Sequence, residues 1–188
     1  MMRLLCVLVL AAPAALGSSL QQSRIAPPTQ SDASESPAMA FVEVPPTRNP
    51  ISQLKLLKAR MHAGRYDTAA ARAEVERIIK TNPVVVFSLE TCPFSIRAKQ
   101  VFTRMGKPFQ ALELDEMPGG HALRVELAYK LGGRTSLPAV FVDGEFVGGC
   151  NDGGLGGVVK LHKKGELKPL VEKALAKHPG WAPVNHHH

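Results

Sequence analysis

The segment that decides the fold is 84–95, with the sequence VVVFSLETCPFS. It opens on a short continuous run of β-branched residues at 84–87, which is typical of a strand buried on both faces of a sheet. Pro93 follows Cys92, and proline is favoured at the first position of a helix because its missing N–H needs no partner there. We therefore predict a buried strand, a short loop and a helix at 92–105 whose positive amino-terminal end faces the Cys92 sulfur.

Outward from this segment, the pattern of apolar residues predicts three more strands, at 109–114, 139–142 and 145–147. Helices are predicted between and after them, at 121–131, 151–162 and 167–177. Asp143-Gly144 is a strong hairpin signal, so the last two strands are antiparallel, whereas the first two, joined by a helix, are parallel. This order predicts an α/β, thioredoxin-like three-layer fold in which a four-stranded mixed sheet is flanked by helices.

Two helices are predicted before the first strand. Leu54, Leu57 and Met61 are spaced along one face of a helix that precedes Gly64, and Asp67 is placed to cap a second helix. We therefore expect a helical extension at 49–66, a main domain at 67–178 and a tail at 179–188. The tail includes three terminal histidines, from which we draw nothing.

The start of the chain has the pattern of a secretory signal peptide. Arg3 gives a short positive start, and an apolar run at 4–16 leads to small residues that suit a cleavage site. A membrane span needs about 20 apolar residues, which is more than this run provides. We expect a signal peptide at 1–17, lost together with Cys6, and a disordered linker at 18–48. The protein would then be secreted or lumenal; a complex plastid reached through a bipartite presequence is the alternative.

Composition narrows the possible partners. The formal net charge is +7, but the Lys and Arg residues are scattered and form no run of five or six like charges, which argues against nucleic acid as a partner. Cys6, Cys92 and Cys150 lie too far apart for a disulfide framework or a zinc motif, so no metal site is expected.

Two further motifs follow the cysteine segment. The sequence SLP at 136–138 precedes a strand, and a proline there can form a cis peptide that leaves a neighbouring N–H and C=O open to a ligand. The sequence GGCND at 148–152 allows close backbone approach through its glycines. Asn151 and Asp152 are suited to cap the next helix, and the Asp152 carboxylate is equally suited to bind a ligand ammonium group.

Together and in this order, these motifs resemble the glutaredoxin family over about 67–178. Pro93 makes the chain more similar to the dithiol class, with its Cys-Pro-Tyr-Cys motif, than to the Cys-Gly-Phe-Ser group. The resemblance implies a redox-active cysteine and glutathione-dependent thiol–disulfide exchange, with roles in electron transport and cell redox homeostasis. The segments that carry it are VVFS at 85–88, TCPFS at 91–95, RTSLPAVFV at 134–142, GGCND at 148–152 and LHKKGEL at 161–167.

The resemblance also implies roles for individual residues. Cys92 is the expected catalytic nucleophile, and Leu137, beside a cis Pro138, is expected to offer its backbone to the cysteinyl unit of glutathione. Asp152 is expected at the γ-glutamyl end, and Arg134 at the glycyl carboxylate. The full set of expected glutathione-binding residues is Pro93, Phe94, Arg134, Ser136, Leu137, Pro138, Gly149, Cys150, Asn151 and Asp152.

Three residues depart from the family pattern. Ser95 replaces the second cysteine, and a hydroxyl cannot resolve a mixed disulfide, so the expected mechanism uses Cys92 alone. Leu89 stands where the family usually has a lysine that meets a glutathione carboxylate and favours the thiolate. Glu90 adds a negative charge that is expected to raise the Cys92 pKa.

These departures leave alternatives open. The main expectation is an enzyme, a monomer that reduces mixed disulfides of glutathione and proteins, with no nucleic-acid partner and no stable membrane association after signal removal. A dimer that carries a [2Fe–2S] cluster on two Cys92 thiolates and two glutathiones is possible but disfavoured by Pro93, whose ring stiffens the loop. A third possibility is an adaptor of low activity. Cys150 is interpreted as a structural thiol rather than a second redox site.

Overall fold

The structure is a computed structural model that describes residues 50–184, so the expected signal peptide and linker lie outside the described residues. None of the helices described has the length and apolar character needed to cross a bilayer. The elements, in chain order, are α1 (Pro50–Ala63), α2 (Thr68–Thr81), β1 (Val84–Ser88), α3 (Pro93–Arg104), β2 (Gln110–Glu113), α4 (Gly120–Lys130), β3 (Ala139–Val142), β4 (Glu145–Gly148), α5 (Val158–Lys164) and α6 (Leu167–Ala176).

The four strands form one mixed sheet in the order β2-β1-β3-β4. The β1–β2 pair is parallel, and the β1–β3 and β3–β4 pairs are antiparallel. The β3–β4 hairpin turns at Asp143 and Gly144, which both have positive φ angles of 53° and 81°. The predicted strand directions and hairpin are therefore confirmed.

Strand β1 is buried on both faces, as its β-branched sequence predicts. Val84 and Val86 pack into a core formed with α3, α5 and α6, whereas Val85 and Phe87 pack into a second core formed with α2 and α4. The alternation follows from the two-residue period of a strand. It produces the three layers of the predicted thioredoxin-like fold, which is confirmed.

Helix α1 forms as predicted, but it buries a different face. Leu54, Leu57 and Met61 are 69%, 54% and 76% exposed, whereas Leu56 is completely buried. Leu56 packs with Ala59 and Ala63 of α1 against Val125 and Ala128 of α4. The small alanines let the two helices approach closely, so this side offers better packing than the side with more apolar side chains.

A second part of the prediction that is wrong concerns the helix at 151–162. Helix α5 begins only at Val158, with Gly157 as its N-cap residue, so neither Asn151 nor Asp152 caps it. The intervening segment contains Gly153, Gly154, Gly156 and Gly157, which all adopt positive φ angles. Such angles are incompatible with a right-handed helix, and the segment becomes an irregular loop beside the site described below.

A buried carboxylate links the residues before β1 to α4. The Tyr66 hydroxyl donates a hydrogen bond to Glu126 Oε1 at 2.9 Å, and Arg72 Nε donates to Glu126 Oε2 at 3.1 Å. Burial raises the Tyr66 pKa, and the neighbouring Glu126 raises it further. The Tyr66 phenol is therefore a neutral hydrogen-bond donor.

The Tyr66→Phe variant is expected to lose about 1 kcal/mol of unfolding free energy in urea titrations, because the buried Glu126 loses one donor. The matched control is Tyr129→Phe, whose hydroxyl accepts only a 3.4 Å hydrogen bond from Arg60. We expect the control to lose less than half as much. Equal losses in the two variants would contradict a specific role for the Tyr66–Glu126 bond.

Candidate active site

Cys92 lies in the loop that joins the buried strand β1 to helix α3. It is the N-cap residue of α3, and Pro93 occupies the first turn of the helix, as predicted. The thiol is half-buried. The sulfur therefore lies at the end of the helix where unpaired N–H groups and the positive end of the helix dipole favour a negative charge.

The surroundings of Cys92 favour its thiolate form. Burial raises the pKa of the thiol, but hydrogen bonds from the Ser95 backbone, the Ser95 side chain and the Phe94 backbone oppose it, as does the positive charge of Arg124. The net effect lowers the Cys92 pKa. A thiolate is the form of cysteine that acts as a nucleophile, so the geometry prepares Cys92 for attack.

Ser95 does more than replace a second cysteine. Its side chain is completely buried, and its hydroxyl oxygen accepts a hydrogen bond of 3.4 Å from the Leu89 N–H. Hydrogen bonding from the same hydroxyl is one of the causes that lower the Cys92 pKa. Sequence reasoning considered only what Ser95 cannot do, namely resolve a mixed disulfide, and missed its role as a hydrogen-bond donor.

Arg124 is the cation near Cys92 that sequence reasoning did not identify. It projects from α4, and its Nη2 donates a hydrogen bond of 3.3 Å to the Thr135 carbonyl oxygen, just before the SLP motif. Its Nε is buried and has no hydrogen-bond partner among residues 50–184. Lys99, a cation in the middle of α3, instead pairs with Glu113 at 2.5 Å.

The structure does not support the expectation that Glu90 raises the Cys92 pKa. The Glu90 side chain is exposed, and its backbone N–H donates to the Asp115 carboxylate at 3.0 Å. Glu90 is not among the groups that shift the Cys92 pKa, which falls rather than rises. Water around an exposed carboxylate weakens its effect, whereas hydrogen bonding from Ser95 lowers the Cys92 pKa.

The SLP motif lies at the same end of the sheet as Cys92. The Leu137–Pro138 peptide bond is cis, as predicted. In the β1–β3 pair, Phe87 is opposite Ala139. The loop that leaves β1 and the loop that enters β3 therefore lie side by side at the same end of the sheet. This register brings the Leu137 backbone to the side of the sheet where the thiolate lies.

Arg134 and Asp152 contact each other directly. The two guanidinium nitrogens Nη1 and Nη2 each donate to an Asp152 carboxylate oxygen at 3.0 Å. The pairing lowers the Asp152 pKa, mainly through the hydrogen bonds from Arg134. The two side chains meet because the loops after α4 and β4 lie side by side, and their expected roles at the two ends of glutathione stay predictions. Gly149 lies beneath this pair, where an added Cβ would be 2.8 Å from Arg134 Nη2.

Cys150 is buried, in agreement with its interpretation as a structural thiol. Burial raises its pKa; Arg97 opposes this effect, and the negative charges of Asp152 and Cys92 add to it. Cys150 therefore stays protonated under conditions in which Cys92 ionises. Of the other expected binding residues, Pro93 and Phe94 are exposed and border the thiol, and the remaining ones lie in the two loops already described.

Within residues 50–184, no three side chains of His, Cys, Asp or Glu are placed together to hold a metal ion. His121 and His162 are exposed. The arrangement instead offers a nucleophilic sulfur next to a backbone edge and a pair of opposite charges.

Comparison with known proteins agrees with this geometry. A family model described as Glutaredoxin matches residues 84–147. Glutaredoxin-C6 of Oryza sativa subsp. japonica is 38% identical over 104 residues, which cover 55% of this chain and 88% of that protein. The holo form of glutaredoxin C1 from Populus tremula x tremuloides superposes with a TM-score of 0.53 at 37% identity, over 58% of this chain and 93% of that one. The buckwheat glutaredoxin–glutathione complex gives 0.53 at 30% identity, over 58% and 94%.

Proposed function

Because this chain belongs to the glutaredoxin family, we propose that it reduces mixed disulfides between proteins and glutathione through Cys92 alone. Family membership supports a glutathione-dependent thiol oxidoreductase in general. The observation that carries the finer proposal is the buried Ser95 hydroxyl, which stabilises the Cys92 thiolate and has no sulfur with which to resolve a disulfide.

The proposed reaction has two exchange steps. In the first, the Cys92 thiolate attacks the glutathione sulfur of the mixed disulfide, forms a Cys92–glutathione disulfide and releases the protein thiolate. In the second, a glutathione thiolate attacks the glutathione sulfur bound to Cys92, which releases glutathione disulfide and restores the Cys92 thiolate. Each turnover consumes one glutathione and converts the mixed disulfide into a protein thiolate and glutathione disulfide. The number of disulfide bonds is conserved, so no further cofactor is required.

The lowered Cys92 pKa supports the enzyme over the adaptor of low activity. An adaptor without catalysis does not need a stabilised thiolate, and it would tolerate a thiol with an ordinary or raised pKa. In this chain, three hydrogen bonds and one cation act on the sulfur. The buried and protonated Cys150 shows the contrasting environment of a thiol that is not a nucleophile.

We propose that glutathione lies across the two loops beside Cys92. The Leu137 backbone N–H and C=O are available to pair with the cysteinyl unit of glutathione, as one strand pairs with the next. Asp152 is 68% exposed and can turn toward an ammonium group, which would leave Arg134 to meet a carboxylate. The buckwheat glutaredoxin solved in complex with glutathione supports this ligand class.

The reaction is tested with a small mixed disulfide of glutathione and 2-mercaptoethanol, assayed with glutathione, glutathione reductase and NADPH. We expect turnover that is saturable in the mixed disulfide and proportional to the concentration of the chain from residue 49 onward. A rate equal to that of the uncatalysed exchange between glutathione and the mixed disulfide would overturn the proposal.

The Leu89→Lys variant is expected to lower the KM for the mixed disulfide by about fivefold, because an ammonium group there can bind a glutathione carboxylate. Leu89 is half-buried against the second core, and a lysine can keep its stem in that place while its charge reaches water. Leu89→Met is the matched control without charge. An unchanged KM in both variants would show that no carboxylate passes near this position.

A further inference from the structure

A groove begins beside the nucleophile and runs along the outer surface of the molecule between α3 and α5. Its volume is about 590 Å³, and one end is formed by Pro93, the residue next to Cys92. The other end reaches Arg104 at the carboxyl end of α3. The twelve residues of α3 extend roughly 18 Å, which is the length of about five residues of an extended peptide.

The rim of this α3–α5 groove is positively charged. Arg97 and Arg104 line it from α3, and His162 and Lys163 line it from α5. Neither helix contains an acidic residue, since α3 has the sequence PFSIRAKQVFTR and α5 has VVKLHKK. The charged side chains of the rim are therefore all positive, and neither helix supplies a carboxylate to neutralise them.

Two other cations on or near α3 are paired with carboxylates, unlike the cations of the groove. Lys99, on another side of α3, pairs with Glu113, and Lys107, which follows the helix, pairs with Glu172. In the part of the chain that the structure describes, no carboxylate lies within ion-pair distance of Arg97, Arg104 or Lys163. These exposed groups are available for an external anion.

The floor of the groove is apolar. Val101 and Val159 are buried beneath it, and Ile96 is 39% exposed at the end near Cys92. A nucleic acid presents phosphates and stacked bases, for which this floor offers no aromatic side chain. A peptide with both acidic and apolar side chains suits a basic rim and an apolar floor.

We propose that the α3–α5 groove binds an acidic segment of the client protein whose glutathionylated cysteine is presented to Cys92. The inference rests on the proposed function, because it makes the groove the site that selects among mixed disulfides. Cys92 lies at one end, so a client segment in the groove would continue directly into the reacting disulfide. Charge complementarity of this kind mainly accelerates association and weakens with salt.

The test compares three glutathionylated peptides of equal length that differ only in having acidic, neutral or basic residues beside the modified cysteine. The protein is compared with Arg104→Glu/Lys163→Glu, which reverses the rim without touching the thiol. The matched control is Lys55→Glu/Lys58→Glu, which reverses two exposed charges on α1. The small mixed disulfide is assayed in parallel with every variant, since it is too short to fill the groove.

We expect kcat/KM for the acidic peptide to exceed that for the basic peptide by about tenfold at low salt, and the difference to shrink at high salt. The rim variant is expected to abolish or reverse this preference, while the α1 control keeps it and the small mixed disulfide reacts equally with all three proteins. Equal kcat/KM values for the three peptides, or a preference that survives in the rim variant, overturn the proposal.

A binding measurement separates this inference from the proposed function. Fluorescence anisotropy of an acidic peptide that carries no disulfide is expected to show binding to the parent chain and about tenfold weaker binding to the rim variant. This result would support the groove even if the small mixed disulfide were not turned over, in which case only the proposed function fails. Tighter binding of a single-stranded oligonucleotide than of the acidic peptide would overturn the proposal in favour of a nucleic-acid surface.

Discussion

The Cys92→Ser variant is expected to lose all measurable reduction of the glutathione mixed disulfide, a fall of at least about a thousandfold. In both proposed steps, the sulfur of Cys92 is the protein atom that forms and breaks a bond. A serine hydroxyl remains protonated at neutral pH and cannot take part in thiol–disulfide exchange. The hydrogen-bond donors of Ser95 and Phe94 would remain, but they act only on a charge that this variant never develops.

The matched control is Cys150→Ala, which removes the other thiol of the described residues. We expect it to keep more than half of the activity, because the buried Cys150 is held protonated by its surroundings. Intact-mass measurement after exposure to glutathione disulfide should find one glutathione on the control and none on Cys92→Ser. Loss of activity in the control with retention in Cys92→Ser would reverse the assignment of the nucleophile.

The parts of the molecule that sequence reasoning predicts correctly rest on local signals. The strand β1, the place of Cys92 at the start of α3 and Pro93 in the first turn follow from adjacent residues in one short segment. The turn at Asp143-Gly144 depends on two residues that accept positive φ angles. In each case, the residues that specify the conformation are those that adopt it.

The parts that sequence reasoning misses depend on distant residues. The side of α1 that becomes buried is chosen by α4, which offers Val125 and Ala128 to Leu56. The Arg134–Asp152 pair joins two loops that are separate in sequence. Neither the spacing of apolar residues nor the order of the elements contains information on such contacts, because both describe one segment at a time.

The distance along the chain also fails to predict which charged groups act on Cys92. Glu90 is close in sequence but lies in solvent, whereas Arg124 is 32 residues away along the chain and acts on the sulfur through space. Leu89 stands where the resemblance implies a lysine, and Arg124 supplies a positive charge from a different element. We therefore expect Arg124 to compensate for the absence of that lysine.

The Ser95→Ala/Arg124→Gln variant tests this compensation. In the plot of the Cys92 alkylation rate against pH, the rising part of the curve is expected to shift to higher pH. Ser95 donates a hydrogen bond to the sulfur and Arg124 contributes a positive charge, and both lower the Cys92 pKa. A hydrogen bond to a charged group is worth about 1.5–3 kcal/mol, so the two losses together reduce the thiolate population at acidic pH by on the order of a hundredfold. Iodoacetamide is neutral, so glutathione binding does not enter the measurement.

The sign of the effect depends on pH. At a pH below the Cys92 pKa of both proteins, the variant has a smaller fraction of thiolate, and its more basic sulfur is more nucleophilic. The first effect is larger, so the alkylation rate of the variant is expected to fall by about tenfold. Above both pKa values, each protein is fully ionised, and the more basic thiolate of the variant is expected to react at least as fast as that of the parent chain. The two pH–rate curves therefore cross.

Lys130→Gln is the matched control, because it removes another cation of α4 that pairs with Glu76 and does not act on Cys92. Its pH–rate curve is expected to coincide with that of the parent chain, and thiolate absorbance at 240 nm gives the same comparison without a reagent. Curves that do not cross, with the double variant slower by a constant factor at every pH, would mean that Ser95 and Arg124 act on access to the sulfur and not on its ionisation. A crossing curve assigns to these two residues the stabilisation of the thiolate that the resemblance implies for a lysine at position 89.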